Sequence, residues 1–344
     1  MTHRFPIKEI ARQAGVGVAT VDRVLNARAN VSPQTRNRVR AAIQELEGQE
    51  AQLSARGRRL FVDFVVEAPQ RFSKEIRRAA ETVLPTLGTA VFRPRFRFQE
   101  IMTEEEVVAA LDRVRRKGSH GVCLKARDWP GVRTAIDALR SQGIPVATLV
   151  TDLPTSSRNA YVGLDNANAG QTAAFLIATA LHDQTRAVLA YRSQEAFLGE
   201  VERFEAFRAG LALHAPTLRV LDVSGGAGIA TETRARIQAL LEDGPDIGAV
   251  YSMGGGNRII LDVLREHGMR GLPFVAHDLD AENSALLDDG HLSFVLHHDL
   301  EADMVAVFQT IAAAHRLLPA PPETTLSDIG IVTRFNRPTR QAVF

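Results

Sequence analysis

The sequence predicts a small all-α, helix-turn-helix module followed by a large α/β body built on parallel sheets. Two patterns point there. Three closely spaced helical patterns fill the first 46 residues, and from Leu60 onward short apolar runs alternate with helical stripes. Charge divides the chain at the same place: residues 1–59 hold 11 Lys/Arg against 5 acids, leaving 30 basic against 35 acidic side chains for the rest. A basic head on a mildly acidic body suits a polyanion-binding module joined to a separate domain. The single cysteine, Cys123, excludes an internal disulfide framework and a cysteine zinc cluster, and fits a reducing cytosol. With no signal-peptide core and no apolar stretch of membrane-spanning length, a cytoplasmic protein is expected.

In the first helix Ile7, Ile10, Ala11 and Ala14 form one apolar stripe. Gly15 stands where a helix ends in a left-handed residue, a conformation glycine takes without steric cost. Val18, Val21, Val24 and Leu25 restart the stripe on a second helix after a turn too short for anything but a sharp crossing. Ser32 as N-cap and Pro33 at the first helical position open a third helix, with Val39, Ala42, Ile43 and Leu46 inside and Arg36, Arg38 and Arg40 outside. In a helix-turn-helix the second helix is the one presented to the DNA major groove.

The body reads as buried parallel strands at 61–66, 121–126, 145–150, 160–164, 187–191, 248–253, 273–277 and 293–298, separated by helices. A barrel and two α/β lobes both accommodate that many units. Ligands of open α/β sheets collect at the carboxyl ends of strands. There stand Phe72, Asp152, Asp165, Arg192, Asp278, His297 and His298. An aromatic surface with spaced carboxylates, an arginine and a histidine suits a polyhydroxylated ligand.

The run IKEIARQAGVGVATVDRVLNARANVSPQTRNRVRAAIQEL, from Ile7 to Leu46, resembles the headpiece of the lactose/galactose repressor family of bacterial transcription regulators. The resemblance implies that Val18, Ala19 and Arg23 face base edges, that Thr20, Asn26 and Asn30 lie near the backbone or groove edge, and that Arg36 approaches phosphate. Arg23 can meet guanine O6 and N7 in a bidentate fashion, and Val18 and Ala19 suit a thymine methyl. Gly17 replaces the family's capping Ser or Thr. Where the family continues with Tyr, Pro and Asn and a hinge helix, this chain has EGQEAQLSARGRR, residues 47–59. Leu53 is its candidate minor-groove wedge, with Arg56, Arg58 and Arg59 near phosphates.

The body is similar to a type I periplasmic-binding-protein-like domain, which is bilobed with parallel sheets. The segments TLVTDLP, YVGLDNANAGQTAAFLI, ERFEAFRAGL, VAHDLDAE and SFVLHHDLEAD carry the likeness. It implies a headpiece over 1–46, a linker over 47–59 and an effector-binding and dimerisation domain over 60–344. Its lobes would be about 60–158 with 294–321, and 159–293 with 322–344, the last segment carrying a C-terminal strand DIGIVTRFN over 328–336. The implied effector set is Phe72 for stacking, with Asp152, Arg203, Asp278 and His297, to which Arg192 is added from its strand end. SMGGGN, residues 252–257, replaces a common Asn-Asp pair, so a sugar, a sugar acid and a sugar phosphate all stay open.

The glycine clusters at 225–228 and 254–256 lack a P-loop lysine and the dinucleotide spacing, and read as turns or close backbone approaches. Neighbouring His297 and His298 point to opposite faces of a strand and do not share a metal ion. The sequence therefore suggests no cofactor, no metal and no catalytic site. It suggests an allosteric repressor that binds double-stranded operator DNA as a homodimer, with pairing into tetramers open. The competing assignment is an α/β enzyme acting on a sugar or sugar phosphate, with the headpiece as a docking element.

Overall fold

The computed structural model describes residues 5–28, 31–55, 58–181, 186–193, 197–226 and 230–338, with the side chains of 48–55 outside the description. Three helices come first: α1 (Ile7–Ala14), α2 (Val18–Leu25) and α3 (Pro33–Ala55). Ile10, Ala11, Ala14, Val21, Val39, Ala42 and Leu46 form their shared core with Phe5. Gly15 caps α1 at φ 60°, ψ 40°, so the sharp turn rests on the left-handed glycine. Arg38 of α3 fastens it, donating from Nη2 to the carbonyls of Ala14 (2.9 Å) and Gly15 (3.3 Å). Ser32 caps α3 through Thr35 N at 3.1 Å.

Among the described side chains Leu46 is the last in the headpiece core, and the backbone of α3 runs on past it. Its backbone runs through Ala55 across most of the segment expected as a separate linker. EGQEAQLSA is rich in Glu, Gln, Ala and Leu and has no proline, so nothing in it ends a helix. Val18, expected on the buried stripe, is instead 46% exposed, and Val21 alone is fully buried in α2.

The body consists of two six-stranded sheets, each layered between helices. The first has strand order β11-β5-β4-β3-β1-β2, all parallel: Thr324–Ser327, Ala160–Leu164, Val146–Leu149, Gly121–Lys125, Arg59–Glu67 and Val91–Gln99. The second runs β12-β10-β9-β8-β6-β7: Gly330–Val332, Phe294–His297, Phe274–His277, Ile247–Ser252, Ala187–Arg192 and Arg219–Ser224. Only β12 in it is antiparallel. Helices α4 (Gln70–Val83), α5 (Glu104–Lys117), α6 (Pro130–Ser141) and α12 (Leu300–Ala314) cover the first sheet. Helices α7 (Asn166–Ala180), α8 (Leu198–His214), α9 (Ala230–Leu241), α10 (Asn257–Glu266) and α11 (Ala281–Asp288) cover the second.

Two lobes, rather than a barrel, therefore hold the strands. The chain passes between them three times, each time later than the sequence suggested. The 160–164 strand stays in the first lobe, the 294–297 strand in the second, and the 324–327 strand returns to the first. The crossings follow the carboxyl ends of β5, β10 and β11.

Candidate DNA interface and effector cleft

Val18, Ala19 and Arg23 are exposed on α2, with Thr20 half-buried beside them. Positions 19, 23 and 26 share one helix face by the i, i+4 and i, i+3 spacing. The face is basic at Arg23, whose side chain makes no ion pair or hydrogen bond among the described residues. Asn26 is turned back onto its own helix, donating from Nδ2 to the Asp22 carbonyl (2.9 Å) and Oδ1 (2.8 Å). Arg36 is exposed, and its guanidinium donates to the Val31 carbonyl from Nε (3.3 Å) and Nη2 (3.1 Å), bracing the loop ahead of α3. Asn30 and Arg56 lie outside the described residues, as does the Leu53 side chain.

Between the lobes lies a cavity of about 1020 Å³, lined among others by Phe72, Arg78, Asp278, His297, His298 and Glu301. A recess of about 50 Å³ adjoins it through Phe72 and Asp278, which line both; its other walls include Arg71, Lys125, Thr151, Phe197, Glu200 and Arg203. Strand ends of both sheets bring Lys125, Thr151, Asp278, His297 and His298, where α/β folds hold ligands, and helices α4 and α8 add Arg71, Phe72, Glu200 and Arg203. Two of the delivering residues have left-handed backbone: Val150 (φ 65°) after β4 and Asp278 (φ 66°) after β9. For a β-branched valine that conformation costs on the order of 1–3 kcal/mol, held in place by the paired strands around it.

Of the expected effector residues, Phe72, Arg203, Asp278 and His297 come together on this cleft. Asp152 does not line it. Its carboxylate is taken by Arg158, whose Nη2 is 2.6 Å from Oδ2, and by Thr148 Oγ1 and Leu153 N at 2.8 Å. The preceding Val150 and Thr151 reach the cleft instead. Arg192 also lies elsewhere: it bridges to Asp222 on β7 (Nε–Oδ1 3.2 Å, Nη2–Oδ2 2.5 Å) and stacks 4.4 Å over the Phe204 ring. Asp165 caps α7 through Asn168 N at 2.9 Å.

The sequence did not single out several cleft groups. Arg71, one residue before Phe72, crosses from the first lobe to Asp280 of the second and to the Gly254 carbonyl at 3.3 Å. Gly255 is left-handed and lies against that guanidinium, so the glycine cluster serves a close approach to a side chain. Lys125 ends the apolar run of β3, and a lone lysine at such a run was its available signal. It is buried, donates to the Glu67 carbonyl at 2.9 Å and sits 3.6 Å from the Phe197 ring centroid. Burial pulls its ammonium down to about 8.

His298, buried behind Asp278, has Nδ1 2.7 Å from Asp303 Oδ2 and Nε2 3.6 Å from Asp278 Oδ1. Burial disfavours its charged form, but the two carboxylates outweigh that and push its pKa up to about 9. Burial likewise pushes Asp278 upward, and the imidazole overrides it, holding that carboxyl well below the usual range. His297 turns elsewhere, with the Leu279 amide 3.3 Å from its Nδ1. Asp303 also accepts a hydrogen bond from Ser327, so one carboxylate touches two of the three crossings.

Residues 6–47 match the family model of bacterial regulatory proteins of the lacI family, and residues 68–317 match the periplasmic binding protein domain. The chain belongs to the lacI family of bacterial regulators. Among curated relatives, the family member named HTH-type transcriptional regulator TreR of Salmonella typhimurium is 36% identical over 133 residues, covering 36% of this chain. The Escherichia coli protein of the same name is 34% identical over 128 residues. The chain spans about two fifths of either relative, 39% of its length.

Solved structures give the same architecture. A putative LacI transcriptional regulator from Bacteroides fragilis superposes with a TM-score of 0.71 at 18% identity, covering 80% of this chain and 97% of that one. A solute-binding protein from Burkholderia graminis, in complex with D-arabinose, gives 0.72 at 21% identity, covering 82% and 97%. At these identities the likeness describes the fold, that of the type I periplasmic binding proteins. No helix among the described residues is long and apolar enough to cross a membrane.

Proposed function

We propose that the chain is a sequence-specific DNA-binding transcription regulator of the repressor type, whose operator affinity is set by a small sugar-like effector held between the lobes. The observation that carries this is the exposed Val18-Ala19-Arg23 face of α2 on a headpiece whose residues match the lacI family model. Arg23 supplies bidentate readout of a guanine, while Val18 and Ala19 supply apolar contact. Thr20, Asn26, Asn30 and Arg36 are assigned to the groove edge and the phosphates. One headpiece covers a half-site, so specific binding needs a homodimer on a palindromic operator. Such a protein works in the cytoplasm, on the chromosome.

Control follows from the three crossings. A ligand bridging Phe72 of the first lobe and Asp278 of the second favours one lobe arrangement, and the headpieces of a dimer shift with it. Release of DNA on effector binding is the sign proposed.

The test is selection of bound DNA from a random pool by the purified chain, repeated with sugar, sugar-acid and sugar-phosphate mixtures. A palindromic consensus that one mixture removes is the expected result. Arg23→Ala relaxes specificity at one base step at a cost of about 1–3 kcal/mol, whereas Arg36→Ala weakens all sequences alike. No enrichment at low salt, or two variants indistinguishable from wild type, overturns the assignment.

A further inference from the structure

We infer that the effector is an anion, a sugar carrying a carboxylate or a phosphate, with its acidic group seated between Lys125 and Arg203 in the recess between the lobes. This rests on the proposal that the cleft is the effector site.

The charges around the recess are unevenly matched. Three carboxylates there are paired with a cation of the protein, and a fourth, Glu200, is held by Ser193. Asp280 is paired with Arg71, Asp278 with His298, and Glu67 with Arg127. Glu200 accepts from Ser193 N at 2.7 Å and from Ser193 Oγ at 2.5 Å. The two deepest cations have no such match. Lys125 is 8% exposed and Arg203 5% exposed, and neither has a carboxylate within ion-pair distance among the described residues. A buried charge without a counter-charge is expensive, and a protein retains one where something else supplies the opposite sign.

Donor bookkeeping points the same way. Arg203 gives Nε to Asn166 Oδ1 (2.7 Å) and Nη1 to the Met253 carbonyl (2.9 Å), which fixes the guanidinium plane and leaves Nη2 without a partner among the described residues. An ammonium has three donors, and Lys125 spends one on the Glu67 carbonyl. Both side chains line the same recess, where burial and then the Arg203 charge depress the Lys125 ammonium while the nearby Glu200, Glu67 and Asp278 carboxylates act to raise it. A recess of about 50 Å³ takes a compact acidic group, and the adjoining 1020 Å³ takes the sugar body beside Phe72. An acidic group accepting from both cations has the geometry and sign they lack.

The test measures thermal shift and then calorimetric affinity of the full chain with hexonates, hexuronates and sugar phosphates, each against the matching unsubstituted sugar, with inorganic phosphate as a small-anion probe. The inference expects at least one acidic member to bind tenfold or more tightly than its neutral parent. Lys125→Met, apolar and similar in length, should cost that ligand tenfold or more while the melting temperature stays within a few degrees. Lys125→Arg, which keeps the charge, should recover part of the loss. For wild type the affinity for a carboxylate ligand should hold steady from pH 6 to 8 and fall above 8, because the free ammonium deprotonates there and the anion-bound one does not; Lys125→Met should lack that fall. Tight binding of a neutral sugar unaffected by Lys125→Met overturns the inference, as does the absence of any acidic binder. The DNA selection stands apart: a consensus lost to a neutral sugar would sink the anion and keep the regulator, whereas an acidic binder with no selected DNA would do the reverse.

Discussion

His298 shows how one buried side chain can set a pH limit on the body. Its folded pKa of about 9 lies above the ordinary 6.5, so its pairing with Asp303 and Asp278 contributes stability that is fully present below 6.5 and is lost as pH rises through 9. The full contribution is on the order of 3 kcal/mol, of which about 2 should vanish between pH 6 and 8. Lys125 acts in the opposite sense and later. Its pKa is lowered to about 8, so its charged form is a cost that fades between 8 and 10.5, where the unfolded lysine still holds its proton. Urea midpoints at pH 6 and 8 read this loss against an opposing gain, because burial holds His277 well below 6.5 and lowers His120, so both favour the folded state as pH rises through that range. His298→Gln should be less stable at pH 6 and should gain, not lose, stability toward pH 8. An equal fall in the variant would place the titrating group elsewhere. None of this was legible beforehand: adjacent histidines look alike in a sequence, and only the fold gives His298 its two acids while His297 meets a backbone amide. Asp152 and Arg192 failed for a related reason, since Arg158 and Asp222 claim them through pairings that no local pattern records.

Among the elements, legibility followed burial. Strands covered on both faces, such as β1, β3, β6 and β8, appear as continuous apolar runs and were found at their proper places. The strands not foreseen are β2, β7 and β11, all edges of their sheets. An edge strand is half-buried at most, and VFRPRFRFQ interleaves arginines and a proline as edges do to deter further pairing. The helix pair α7 and α8 carries a constraint that the apolar pattern also hides. A Cβ at Gly170 would sit 2.2 Å from the Arg203 carbonyl, and one at Gly210 would sit 2.7 Å from the Ala174 Cβ. The two helices meet through missing side chains. Gly170→Ala should force α8 outward, costing about 1–3 kcal/mol by overpacking and carrying Arg203 with it. Chemical denaturation reads the first effect, and loss of effector affinity in protein still folded reads the second. A variant of wild-type stability and affinity would show that α8 does not depend on this contact.

For the whole molecule, the headpiece was readable almost residue by residue because its core, turn and caps are all local, whereas the lobes are assembled from segments far apart. The core of the first lobe joins Leu60, Phe64 and Ile76 to Met304, Val307, Phe308 and Ile311 of α12. Among the described residues, the sheet of the second lobe takes only the three-residue β12 from beyond its own continuous stretch, with Ile329 and Arg337 beside it. A chain shortened to residues 1–299 should therefore damage the lobes unequally, with hydrogen exchange showing β1, β3 and β4 unprotected while β6 and β8 keep their protection. Equal protection in both would mean that α12 is dispensable to the first core. The same topology orders events during synthesis, when N-terminal units fold first. The headpiece helices precede both lobes, and the core of the first lobe is incomplete until α12 has emerged. A headpiece is thus complete while the first wall of the cleft is still being made, and on the proposed reading the time between residue 46 and residue 314 is an interval in which the DNA-facing unit exists without the cleft proposed to govern it.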